Sequence, residues 1–251
     1  MLADLATQAF WIGLLKIIGV NIILSGDNAV VIALAARSLP ARQQKQAVFW
    51  GAGAAVLLRI VLTIFAAALL ALPWLKLIGS LLLFWIGVKL LIPEEDDDDG
   101  IEASEHLMTA IKTILIADLV MSLDNVIAVA AAAAGSYVLL ILGLAISIPL
   151  VIFGATLLIK LMERYPVIIT AGAGLIGWVA GEMLVADHAL QGVFTSIGVQ
   201  YKGEHPHVGA LSLEIMAGVI GFVIVVALGK WLAGRRPSAV AEQPVDGSAR
   251  N

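Results

Sequence analysis

Apolar residues fill long runs of this chain, and polar breaks between them are short. The runs cover about 8–36, 46–71, 74–92, 108–134, 137–161, 166–187 and 211–233. A bilayer core is spanned by roughly 20 apolar residues in a helix. The pattern therefore predicts an all-α polytopic membrane protein with seven transmembrane helices. Breaks fall at Pro40, Pro73, Pro93, Gly135 and Ser136, Pro166 and Pro206. Proline lacks the N–H that continues a helix, and glycine tolerates turn conformations. The first run exceeds a signal-peptide core of about 7–15 residues and follows no basic stretch, so it is expected to stay as the first span.

Composition sharpens this picture. The chain is 61% hydrophobic and only 14% charged, against about 25% charged in ordinary soluble domains. No loop is long enough for a separate folded domain, so residues 1–236 read as one transmembrane domain. The absence of cysteine excludes disulfides and thiolate metal ligands. Lysine and arginine set the orientation, because they gather on the cytoplasmic side of membrane proteins. Arg37, Arg42, Lys45, Lys89, Lys112, Lys160, Arg164, Lys230, Arg235, Arg236 and Arg250 all share one side if the N-terminus is outside and the C-terminus cytoplasmic. The other side receives Lys76 and Lys202. Residues 93–106, with the run from Glu94 to Asp99, read as an acidic cytoplasmic linker, either simply solvated or collecting cations at a cytoplasmic mouth. Residues 237–251 read as a disordered cytoplasmic tail.

Polar residues inside the runs carry the candidate chemistry. Asn21-Ile-Ile-Leu-Ser-Gly-Asp-Asn28 lies midway along the first run, and Asp118-Leu-Val-Met-Ser-Leu-Asp-Asn125 midway along the fourth. Ser25, Asp27 and Asn28 align with Ser122, Asp124 and Asn125, and Asn21 aligns with Asp118. A second match follows: Pro73, Gly79, Trp85 and Lys89 are spaced as Pro166, Gly172, Trp178 and Glu182. Spans 1–3 thus repeat as spans 4–6, over about 8–92 and 108–187, with the seventh span outside the repeat. An odd number of spans per copy makes the repeats inverted. That arrangement is common in transporters, whose sites lie near the midplane where the copies meet. Gly26 marks a candidate unwound point in the first copy. Leu123 replaces it in the second, so a break there would be asymmetric.

Carboxylates in a membrane interior are costly and mark functional sites by default. Asp27, Asp118, Asp124 and Glu182 qualify, with Glu214 at the outer start of the last span. The bases are Lys16, near a helix end and able to snorkel, and Arg59, near mid-span. Arg59 needs an acidic partner, and an ion pair with one of the aspartates is its expected role. The remaining acids call for a cation or protons. Carboxylate, amide and hydroxyl oxygens suit hard divalent ions such as Mn²⁺, Mg²⁺ or Ca²⁺. Met121 is either packing or a thioether favouring Mn²⁺. His205 and His207 beside Glu204 are a weak metal motif or an ordinary polar loop.

The two motifs resemble those of the TerC family of bacterial integral membrane proteins, and the likeness extends over essentially all the spans. The resemblance implies a multi-pass protein of the bacterial inner membrane that exports Mn²⁺ as transported substrate, with no catalytic cofactor and no enzymatic activity. By motif position it implies metal contacts from Asp27, Asn28, Asp118, Asp124 and Asn125; Ser25, Ser122 and Glu182 join them as candidate oxygen ligands. Partners beyond the ion and the lipid bilayer are open: the secretion machinery and a second copy are candidates, nucleic acid is not. Rival readings are an amino-acid exporter of the same superfamily and an accessory factor that metalates secreted enzymes. An intramembrane aspartyl protease would need a close carboxylate dyad and usually Gly-x-Gly-Asp, where residues 24–27 read Leu-Ser-Gly-Asp.

Overall fold

In the computed structural model, residues 8–24, 26–65, 72, 74–92, 103–133, 136–196, 198–202, 205–208 and 211–235 are described. The expected linker up to residue 102, Ser25 and the C-terminal tail lie outside the described residues. The helices are α1 Gln8–Leu24, α2 Gly26–Ala36, α3 Ala41–Ile64, α4 Leu75–Leu91, α5 Ala103–Ala133, α6 Tyr137–Arg164, α7 Val167–Val185, the short α8 Gln191–Ser196 and α9 Leu213–Arg235.

Helix starts follow the punctuation in the sequence. Pro40 and Pro166 precede α3 and α7, where a missing N–H costs nothing because first-turn donors have no intrahelical partner. Ser136 caps α6, its hydroxyl accepting from the Leu139 N–H. Helix α5 begins at Ala103, inside the stretch read as linker. Pro149 lies within α6, as membrane helices tolerate when neighbours shield the freed backbone.

Among the described residues, five helices are long and apolar enough to cross a membrane: α3, α5 over Ser104–Leu123, α6, α7 and α9. A bent pair makes a sixth span if it is counted as one. Phe10–Ile22 and Gly26–Ala36 together are long enough, but their axes differ by 49°. The break falls between Leu24 and Gly26, within the first motif, and α5 runs unbroken through the second copy. The asymmetry between Gly26 and Leu123 thus has a counterpart in the backbone. Helix α4 has 17 residues, about 25 Å at 1.5 Å per residue, short of a hydrocarbon core of about 30 Å.

Helix α2 is apolar on every side and almost wholly buried from Ala29 to Ala36. A helix of that composition belongs in an interior. It packs on α3, α5, α6 and α7. The main core includes Val31, Leu34, Leu83, Ile86, Ile114 and Ile176. A smaller cluster joins Ile17, Val56, Val129, Leu140 and Leu144. Helices α7 and α9 approach closely through Gly177, Gly181, Gly218 and Gly221, all buried. A Cβ at Gly181 would strike the Ala217 carbonyl, and one at Gly221 the Gly177 carbonyl. This is the small-residue packing that membrane helices use in place of a hydrophobic drive.

Large apolar side chains remain exposed along the outward faces, among them Phe153 and Leu157 on α6 and Ile220, Val223 and Trp231 on α9. Soluble monomers rarely show such extended patches; lipid covers them here. The chain is an all-α polytopic membrane protein.

The segment after α7, expected as a plain loop, carries a 3₁₀ turn, α8 and a small antiparallel sheet. Strands β1 Gln200–Lys202, β2 His205–Val208 and β3 Leu211–Ser212 lie in that order. Glu204 and the side chain of His205 lie outside the described residues; His207 pairs with Gln200 on one side and Ser212 on the other.

Candidate functional site

The first motif straddles the bend, and the second lies on α5. Both α1 and α2 pack on α5, so the repeated motifs belong to touching elements. At their junction stands Arg59 of α3, 3% exposed. Its Nη2 donates to Asp118 Oδ1 at 2.7 Å, Nη1 to Asn21 Oδ1 at 2.6 Å and Nε to Ser122 Oγ at 3.0 Å. Ser122 donates to the other Asp118 oxygen at 3.2 Å. Asn21 Nδ2 donates to Ser147 Oγ of α6 at 2.6 Å. Asp118 is therefore an acidic partner of Arg59.

Burying an ion pair is costly unless hydrogen bonds satisfy what the pair leaves over. Asn21 and Ser122 do so here. The planar guanidinium presents donors in a fixed fork, and the fork ties α3 to α1 and α5. Ser147 adds α6.

Asp27 is half-buried in the first turn of α2. Its Oδ1 accepts the Asn28 N–H at 2.8 Å, which suits a carboxylate at the positive end of a helix. It lies close enough to Arg59 and Asp118 to feel their charges. Asn28 is different. Its side chain is 4% exposed, and neither the amide oxygen nor the amide nitrogen has a hydrogen-bond partner. Most buried polar atoms are paired, and an exception calls for an explanation.

Asn125 is half-buried on α5; the side chain of Asp124 lies outside the described residues, as does Ser25. Glu182 is half-buried on α7, the helix between α4 and α9. Among the described residues no three of His, Cys, Asp and Glu gather into a metal-holding group. Asp27, Asp118 and Glu182 therefore do not converge as one triad. The structure brings together Asp118 and Ser122 with Arg59, and sets Asp27 on α2 close enough to feel the charges of Arg59 and Asp118.

Two residues escaped the sequence reading. Ser147 supports Asn21, and nothing in an apolar run marks it out. Asp187 is 2% exposed and accepts from the backbone N–H groups of Trp74, Leu77 and Ala189 at 3.3, 2.9 and 2.8 Å. It caps α4 from across the molecule, beside Trp74 at φ 68°. Its only sequence signal is a local one, an Asp heading the turn at His188.

The sequence pattern of the integral membrane protein TerC family matches residues 6–237. The chain is 47% identical over 181 residues to the uncharacterized membrane protein YjbE of Bacillus subtilis, covering 72% of this chain and 83% of YjbE. It is 28% identical over 198 residues to YkoY of the same organism, covering 70% of this chain and 60% of YkoY. No solved structure matches the chain significantly. With a family pattern matching residues 6–237, and a relative 47% identical over 181 residues, the chain belongs to the TerC family of integral membrane proteins.

Proposed function

We propose that this protein exports a divalent metal cation, Mn²⁺ foremost, across the bacterial inner membrane. The observation that carries the reading is the orphaned Asn28 amide. A buried amide without a partner costs about 1–3 kcal/mol, and a cation coordinated by its oxygen offsets part of that cost. Asp27 supplies a carboxylate next to it. The second motif supplies Asp124, Asn125 and Ser122, with Asp118 and Ser25 completing the candidate set; Glu182 stands apart as a proton carrier. All are oxygen donors, suited to a hard cation.

In this reading α4 completes a seven-span architecture as a short third span. Spans 1–3 and 4–6 are inverted repeats, the N-terminus is outside and the C-terminus cytoplasmic. The ion enters from the cytoplasm, binds between spans 1 and 4, and leaves when the repeats rock. Moving a divalent ion outward costs about 4.6 kcal/mol per 100 mV, twice that of a unit charge. Exchange for protons on carboxylates is the natural source. Loss of the pH response on changing Asp118→Asn and Glu182→Gln is expected; an unchanged response in both would remove proton coupling.

The test is metal flux in everted vesicles, wild type beside Asp27→Asn and Asp124→Asn. Mn²⁺, Mg²⁺, Ca²⁺ and Zn²⁺ are supplied in turn, with and without a pH gradient. Mn²⁺ flux abolished in both variants is the expected result. Absence of flux for every metal, with folded wild-type protein, would sink the exporter reading in favour of amino-acid export or an accessory role in metalating secreted enzymes.

A further inference from the structure

The guanidinium of Arg59 occupies a particular place in the repeat. Among its partners, Asn21 and Asp118 are the same position in the two motif copies. Ser122, another, is the motif serine of the second copy. A protein-borne cation therefore sits between the repeats, among the oxygens that a transported cation would use. Both oxygens of Asp118 are engaged, one by Arg59 and one by Ser122. Asn28, within the other motif, has both side-chain atoms free of partners.

We propose that Arg59 is a tethered cation that holds Asp118 until the transported ion displaces it, and that this exchange selects for divalent charge. The inference rests on the metal-export reading and deepens it. An ion arriving at Asp27 and Asn28 meets the positive field of Arg59, which a low-dielectric interior leaves poorly screened. To recruit Asp118 and Ser122 it must replace the guanidinium hydrogen bonds that hold them. A monovalent ion brings no more charge to Asp118 than Arg59 already supplies, so the exchange gains it nothing. A dication brings twice the charge and draws on Asp27 as well. When the ion leaves, Arg59 returns to Asp118 and the carboxylate is not left buried without a counter-charge, a state that is strongly unfavourable. The same fork reties α1, α3 and α5, so the empty site regains its cross-repeat contacts.

The experiment is calorimetric titration of Mn²⁺ into the purified full chain in detergent, repeated with excess Na⁺. Wild type binds Mn²⁺, and Na⁺ leaves the affinity unchanged. Arg59→Gln removes the competing charge. Its Mn²⁺ affinity is expected to rise at least about tenfold, equivalent to roughly 1.4 kcal/mol, and Na⁺ now competes. Arg59→Lys keeps the charge and stays insensitive to Na⁺. Asn21→Ala releases one arm of the fork without touching Asp118 or Arg59; it moves affinity in the same direction by less and decides the matter if Arg59→Gln does not fold. Binding in the folded variants that is unchanged or weaker, with no Na⁺ competition, would overturn the tethered-cation role and leave the exporter reading standing. Absence of Mn²⁺ binding by wild type and variants alike would overturn both.

Discussion

Asn28 offers a test in which structure and function pull in opposite directions. Its amide is 4% exposed and has no hydrogen-bond partner on either atom. Asn28→Leu keeps a similar shape and removes two polar atoms from an apolar interior. The expected gain is the desolvation cost of the unpaired amide, about 1–3 kcal/mol. The N–H that donates to Asp27 belongs to the backbone and is retained. Without metal the variant is therefore more stable than wild type. With metal the order narrows or reverses. A ligand at a hundredfold excess over its dissociation constant stabilises the folded state by about 2.7 kcal/mol; wild type receives this and the variant does not. Equilibrium unfolding in mixed micelles, with and without Mn²⁺, measures both differences. A variant less stable than wild type in the absence of metal would show that the amide is bonded within the fold. A variant stabilised by Mn²⁺ as much as wild type would remove Asn28 from the site.

The remaining predictions concern the scaffold. Asp187→Ala deprives three backbone N–H groups of their acceptor and should cost about 2 kcal/mol, as for a charged cap. Asn at that position should recover part of it, read by thermal unfolding and by faster hydrogen exchange at Leu77. Gly181→Ala should cost about 1–3 kcal/mol by overpacking, because its new methyl meets the backbone of Ala217 and Gly218 on α9. Gly53→Ala meets nothing within 4 Å and should instead stabilise α3 by about 0.5–1 kcal/mol, the helix advantage of Ala over Gly. Equal effects of the two substitutions would refute close α7–α9 packing.

Hydrophobic run length located the long helices among the described residues, though not the bend that divides the first run, since a membrane helix must be apolar over its whole span and satisfies its backbone internally. The starts of α3, α6 and α7 were legible too, because Pro40, Ser136 and Pro166 act through local chemistry. So was the repeated motif, a property of order along the chain. The need of Arg59 for an acid was evident from its mid-run position. Which acid it takes was not: Asp27, Asp118 and Asp124 are alike by composition, and only the packing of α3 on α5 puts Asp118 at 2.7 Å from the guanidinium. The same limit hid Asp187, which caps a helix more than a hundred residues earlier in the chain, and Ser147, whose role exists only because Asn21 lies opposite. It also hid the orphaned state of Asn28, since whether a buried amide finds a partner depends on what neighbouring helices bring to it. Periodicity and local chemistry are written residue by residue, so the sequence by itself determined the helices and the motif. Pairing between distant side chains depends on helix register and approach, and those were decided by tertiary packing.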